Sequence, residues 1–396
     1  MPSAAKAIEY CRALAKFSEE PGRTTRTFLS PPMRDAHRLL GAWMERLGMR
    51  VNVDAAGNLR GVRGTGNRAL VIGSHLDTVP DAGAFDGILG VVLGIALIEA
   101  IGKRAPGISI EAIGFSEEEG VRFGVPFIGS RAVAGTLNLE GLDERIVEAI
   151  RAFGLDPAEL PTARLAADAV GYLEFHIEQG PVLEHMNLPL GIVDGIVGQS
   201  RLNFAFKGKA NHAGTTPMAM RHDALAAAAE WIGRVEKLAG EAGLVATVGS
   251  IHVEPNATNV VPGLARVTLD ARHGCDEKRR SSVKTLIGAA LEIGERRGIE
   301  VEHTEKLDRP TMLMDEGMSG RLARAVEKAG FPVHHMTSGA GHDAMILAER
   351  VPAAMLFLRS PGGISHHPDE SVRVEDVEAA IQTGVQFVVD MERASV

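Results

Sequence analysis

The sequence predicts an α/β protein: a mostly parallel sheet covered by helices, with a second, α+β domain inserted into it. Three observations predict this. Up to about residue 198, near-continuous apolar runs alternate with helical stretches, the pattern of parallel strands buried on both faces. From about residue 200 polar and apolar residues alternate along the strand-like runs, in the order β-α-β-β-α-β. After residue 312 the first pattern returns, so the middle segment interrupts a domain that both flanks build.

Taken in order, residues 1–20 form an amphipathic helix-like stretch marked by Lys6, Glu9, Arg12, Lys16 and Glu19. The runs ALVIG (69–73), ISIEAIGF (108–115) and YLEF (172–175) read as strands, and the Gly/Ala/Leu/Ile segment between the first two is of helical length. In the middle segment, 201–207 alternates as a strand and 222–238 is an Ala-rich helix with Asp223 near its start. Two alternating strands follow at 244–253 and 264–271, then a charged helix at 276–297 and a last strand at 299–304. That order is the split-βαβ, or ferredoxin-like, arrangement: an antiparallel sheet with two helices on one face. Residues 317–328 read as a helix, 353–358 as a buried strand and 375–391 as a terminal helix. The expected division is 1–199 plus 312–396 for the first domain and 200–311 for the inserted one, with the two crossings acting as a hinge.

Composition narrows the function. The 396 residues carry 42 Lys+Arg against 51 Asp+Glu, a net charge of −9, with no basic run, which excludes nucleic acid as a partner. Two cysteines, Cys11 and Cys275, supply neither a disulfide framework nor a thiolate zinc site and fit a reducing compartment. The most apolar window, 88–98, falls short of the roughly 20 residues that span a bilayer. No secretory h-region opens the chain, so a cytoplasmic protein without a membrane partner is expected.

Four apolar strands each end in a turn that carries a metal-capable side chain. ALVIGS runs into His75-Leu76-Asp77, ISIEAIGFS into Glu117-Glu118-Glu119, YLEF into His176, and AAMLFLRSPGGIS into His366-His367. Asp86 follows the first strand through the Gly-rich loop DAGAFDG. Each alone is an ordinary turn or core residue. Together, three imidazoles and two carboxylates at one end of one sheet are what a mixed N/O transition-metal site requires. In His-x-Asp on extended backbone the two side chains share a side, so Asp77 is expected to accept the second ring N–H of His75. Asp86 can bridge two metals. Glu118 and Glu119, if extended, point oppositely, leaving one for metal and the other as a base.

The strings GSHLDTVPDAGAFDG, FSEEEGVRF, EFHIEQGPVLE, NHAGTTPMAMRHDA, NATNVVPG, LDAR, SGAGHDAM and GGISHHPDE, spread over residues 73–370, resemble the carbamoyl- and ureido-specific branch of the dinuclear-metal, metallopeptidase-like amidohydrolases. That branch contains allantoate amidohydrolases, N-carbamoyl-L-amino acid hydrolases and β-ureidopropionases. The resemblance implies one metal held by His75, Asp86 and His176, and a second held by Asp86, Glu119 and His366, with Asp86 bridging. It implies Glu118 as the base, supported by Asp77, while Glu117 is neutral in effect and His367 is no ligand. It implies that His212 stabilises the oxyanion and that Asn259 and Arg272 hold a substrate carboxylate. Gln199 and His342 are further substrate contacts on this reading, and Asp343 lines the site. The implied cofactors are two divalent ions, manganese or zinc first, with cobalt or nickel also compatible. The implied partners are a small carboxylate-bearing ureido substrate and a second copy of the chain, paired through the inserted domain. Allantoate is the favoured substrate, with N-carbamoyl amino acids next. A dipeptidase or aminoacylase stands further off, as does a metal-binding interaction protein without catalysis.

Overall fold

The computed structural model describes residues 4–65, 68–102 and 107–393, which fall into two compact units, 1–194 with 313–396 and 195–312. The first unit is built on four adjacent parallel strands in the spatial order Ser109–Phe115, Ala69–His75, Ala169–Ile177, Ala353–Leu358. Antiparallel strands extend both flanks: Leu59–Arg63 and Arg50–Val53 beyond the first, and Leu190–Ile196 beyond the last. The sequence pattern does not mark Arg50–Val53 and Leu59–Arg63, because RVNV and LRGVR are short and half-polar. Every residue of Ser109–Phe115 and Ala353–Leu358 is buried, as strands covered on both faces must be.

The connectivity explains where a site can form. The chain leaves Ala69–His75, passes through the helix Ile88–Ile101 and returns on one side at Ser109–Phe115. It next crosses to the other side of the first strand at Ala169–Ile177. The two connections diverge at the carboxyl end of Ala69–His75, which opens a crevice there. The helix Ile88–Ile101 is buried along Ile88–Ile98, so it is core on all sides, with no amphipathic stripe. Gly90 lets it lie directly on the sheet: a Cβ there would sit 2.1 Å from the Phe175 carbonyl oxygen and 2.6 Å from Ser74 Cβ. The helices Ala4–Ala15 and Val374–Arg393 pack against it and against each other.

The second unit holds a five-stranded antiparallel sheet in the order Ile251–Glu254, Leu264–His273, Gly198–Lys207, Glu300–Arg309, with Val245–Thr247 also paired to Leu264–His273. The helices Ala224–Ala242 and Asp276–Arg297 cover one face. Alternate residues of Gly198–Lys207 are buried, so Leu202, Phe204 and Phe206 meet Trp231 and Leu286 in its own core. Trp231 donates its indole N–H to the Leu286 carbonyl at 2.9 Å. The strand expected at 244–253 is broken in two. Ser250 gives its amide to the Thr268 side chain at 3.1 Å, so the ladder lapses there. Among the described residues no helix is long and apolar enough to cross a membrane.

The two glycine environments predict opposite responses to alanine. Gly90→Ala must push helix from strand and should cost about 1–3 kcal/mol. Gly240→Ala, in the helix Ala224–Ala242 with nothing within 4 Å of the new methyl, should gain up to about 1 kcal/mol. Thermal melts check both; a Gly90→Ala protein melting with the wild type would contradict the close approach.

Candidate active site and metal centre

The parallel register sets the site. Ile72 pairs with Leu173, and three residues further along each strand stand His75 and His176. Their rings lie 5.6 Å apart, and the two Nε2 atoms are 3.4 Å apart. Each Nδ1 is taken by a main-chain carbonyl: His75 Nδ1 by Asp77 O at 3.0 Å and His176 Nδ1 by Ile177 O at 2.9 Å. Both Nε2 atoms therefore present lone pairs to the same point. Asp86 reaches that point from the loop, with Oδ1 3.2 Å from His176 Nε2 and 3.9 Å from His75 Nε2. Its other oxygen, Oδ2, lies 3.1 Å from His366 Nε2, which is 3.4 Å from Glu119 Oε1.

The ligand atoms of His75, Asp86 and His176 thus lie within 4.8 Å of one another, as do those of Asp86, Glu119 and His366. Glu118 joins His75 and Glu119 at the same spacing. His75, Asp86, His176 and Glu118 are all buried, whereas the His366 side chain is 48% exposed. In the first group three acceptor atoms converge, with Gln179 Nε2 donating to Asp86 alone, an arrangement that positive charge between the two imidazoles would stabilise. This donor set of imidazole and carboxylate suits a divalent transition metal. The neighbouring carboxylates favour a cationic centre, raising His75 and His366, whose protons a metal ion would displace. Hydrogen bonds to Asp86 and Glu119 lift His366 to about 10. Burial opposes charge on His75, yet Asp77, Glu118 and Asp86 hold it well above the ordinary imidazole range. Burial, together with the nearby His75 and His366, pulls His176 down to about 4 and leaves it neutral, the form in which an imidazole binds a metal.

Glycines and strained residues shape the surroundings. Gly87, at φ +66°, passes against the His75 ring, where a Cβ would lie 2.3 Å from Nε2. His366 and Gln179 are non-glycine residues in the left-handed region, at φ +55° and +58°. Gln179 was not singled out from the HIEQG string, yet its Nε2 lies 3.1 Å from both oxygens of Asp86. Glu370 was likewise missed in GGISHHPDE and accepts the amides of Phe85 and Asp86. Arg26, fully buried, donates to the Leu76 carbonyl at 2.8 Å and so holds the His75–Asp77 turn from behind.

Four expectations need correction. The Asp77 carboxylate is not the main partner of His75, since it stands 3.6 Å from Nδ1 and the Asp77 carbonyl is nearer. Its two oxygens instead accept the amides of Glu118 at 3.0 Å and Glu119 at 3.1 Å. This gathers the chain into a bend at 116–119, so the two glutamates do not point oppositely and both carboxylates approach His75. Glu117 is also more than a neutral substitution. It is buried, caps the Gly120 amide, and is pushed up to about 9 by burial and by Asp77. Fourth, His342 is 1% exposed and bonds Ser338 Oγ at 2.8 Å, while its ring packs edge-on to His176 4.5 Å away. It supports a ligand and is not open to a substrate. Asp343 beside it is fully buried and held well above the carboxylate range by burial and by Glu174. His367 is exposed, and its Nδ1 accepts the Asp369 amide.

The remaining named residues belong to the second unit. His212 lies on the short ladder Asn211–His212 against Val260–Val261, and Ala213 donates to the Asn259 carbonyl at 2.9 Å. His212 Nδ1 accepts the amides of Gly214 at 3.2 Å and Thr215 at 3.1 Å, which leaves Nε2 as the protonated, donating nitrogen of an exposed ring. Arg272 grips Asp270 through Nε at 2.8 Å and Nη2 at 3.1 Å, and Gln199, its cross-strand partner, donates to the same carboxylate at 2.7 Å.

A parallel-sheet protein whose strand ends present this His/carboxylate cluster is, as a class, a metallohydrolase-type α/β protein. Residues 71–390 match peptidase family M20/M25/M40, and the chain belongs to that family. It is 39% identical to allantoate deiminase 2 of Glycine max, over 97% of this chain and 88% of that one. It is also 39% identical to N-carbamoyl-L-amino acid amidohydrolase of Geobacillus stearothermophilus, over 92% of each. Among solved structures it resembles a hydantoinase/carbamoylase family amidase from Burkholderia multivorans, with a TM-score of 0.91, 30% identity and coverage of 98% of this chain and 97% of that one.

Asp77→Asn would turn an amide NH2 toward one of the two glutamate amides and strand it. A loss of about 1–3 kcal/mol follows, seen as a lower Tm. An unchanged Tm would remove Asp77 from this role.

Proposed function

We propose that this chain is a metal-dependent amidohydrolase that cleaves the terminal ureido group of a small carboxylate-bearing substrate, allantoate first. The observation that carries the reading is the convergence of His75, His176, His366 and Glu119 on the two oxygens of Asp86, with Glu118 buried alongside. N-carbamoyl-L-amino acids form the second reading, because a relative named for that activity is as similar as the allantoate deiminases.

The overall reaction is R–NH–CO–NH2 + H2O → R–NH2 + CO2 + NH3. Two divalent ions, one held by His75, Asp86 and His176 and one by Asp86, Glu119 and His366, would polarise the urea carbonyl and acidify water, manganese being the first choice and zinc the next. Glu118 takes the proton of the attacking water on its carboxylate and returns it to the departing nitrogen. The C–N bond breaks as that nitrogen leaves, and the carbamate half decays to ammonia and carbon dioxide. His212, with its proton on Nε2, donates to the carbonyl oxygen as it becomes an oxyanion. Arg272, already aligned by Asp270, and Asn259 hold the substrate carboxylate, with Gln199 beside Arg272. We assign the second unit the roles of lid and of contact surface in a homodimer, and the protein a place in the cytoplasm.

Ammonia release tests the reading across allantoate, N-carbamoyl-β-alanine and N-carbamoyl-α-amino acids. Activity should vanish after chelation and return with Mn2+ or Zn2+, and allantoate should give the highest kcat/KM. No ammonia from any of the three by metal-loaded protein would overturn it. Glu118→Gln should keep its metal and lose about 10²–10⁴-fold in turnover. His212→Ala should lose about 10²–10³-fold in kcat. Near wild-type rates in either variant would remove that residue from its role.

A further inference from the structure

Glu370 has no place in either ligand group, yet it is 5% exposed and its carboxylate is fully engaged. Oε1 accepts the Phe85 amide at 2.8 Å and the Asp86 amide at 2.9 Å. Oε2 lies 3.4 Å from Ser365 Oγ, which is itself 3.2 Å from Asp86 Oδ2. The Glu370 amide donates to the His367 carbonyl at 3.0 Å and closes the loop that carries His366. Gly83 makes room for the contact, since a Cβ there would sit 2.3 Å from Glu370 Cβ. One side chain thus ties the loop presenting Asp86 to the loop presenting His366, two segments that meet only in the folded chain.

We propose that Glu370 is a positioning residue for the second cation position, that of Asp86, Glu119 and His366, and much less for the first. The inference rests on the two-cation reading above. The asymmetry comes from how each ligand is held. At the first position, His75 and His176 stand at the ends of paired strands with each Nδ1 bonded to a main-chain carbonyl. Only Asp86 there depends on Glu370. At the second position two of the three ligands, Asp86 and His366, sit on the loops that Glu370 joins. His366 is also the half-exposed ligand and holds a left-handed backbone that its surroundings must enforce. Deleting the carboxylate strands two buried amides and frees both loops.

The test is Mn2+ titration by calorimetry into the chelator-stripped full chain, with metal content measured after gel filtration. The wild type should bind two ions. Glu370→Ala should keep the first close to wild-type affinity and weaken the second by at least about tenfold, so that about one ion survives filtration. Glu370→Gln retains an oxygen for both amides and should stay near the wild type, with far-UV circular dichroism reporting the fold of each variant. Equal retention of both ions in Glu370→Ala, equal weakening of both, or a Glu370→Gln protein as impaired as the alanine variant would overturn the inference. A wild-type chain binding fewer than two ions would overturn the two-cation reading and this inference with it. Two ions in the wild type without selective loss in Glu370→Ala would overturn the inference alone.

Discussion

Asp86 is the constraint on which the rest of the structure depends. A buried carboxylate faces imidazole nitrogens on both sides, and two of them have already spent their N–H on backbone carbonyls. Lone pairs that face one another in this way favour the entry of positive charge. Burial disfavours ionisation of Asp86, and only the hydrogen bond to His366 and the nearby His176 and His75 hold it below the carboxylate range. The fold bears this cost through rigid neighbours: strands in fixed register, a helix packed on the sheet through Gly90, and Gly87 flush with the His75 ring. Strain at His366 and Gln179 is concentrated where the ligands converge, as expected when a site is preorganised for an occupant.

Much of this was legible in the sequence, for definite reasons. Buried parallel strands are apolar throughout, so ALVIG, ISIEAIGF and AAMLFL announced themselves, and a polar residue at the end of each stood out against that background. The helix at 276–297 matched its expected bounds, because its charged ends and the following Gly298 punctuate it. Strands such as RVNV carry no such contrast and went unread. What sequence could not convey was action through backbone amides. Asp77 and Glu370 work by accepting main-chain N–H groups, and any residue offers an amide, so no spacing rule marks the partner. His342 misled for the opposite reason: a histidine amid glycines looks available, and here packing against His176 and Phe357 consumes it.

The two units divide the chemistry by the kind of charge they hold. The first gathers carboxylates and imidazoles in a buried crevice, suited to cations. The second arranges donors on the open face of its sheet, where Arg201, Arg272 and Gln199 all point at Asp270. Paired in this way, the guanidinium of Arg272 is aligned in advance, which lowers the entropy cost of binding an anion. The proposed substrate, a ureido carboxylate, has both a carbonyl to be polarised and an anion to be held.

The most direct test is anomalous diffraction, collected at the manganese or zinc edge, from crystals of the metal-loaded protein. The account predicts two peaks about 3.5–4 Å apart, one beside His75 and His176, the other beside Glu119 and His366, with Asp86 between them. A map with no anomalous density at Asp86, or with the ions bound elsewhere on the chain, would contradict it.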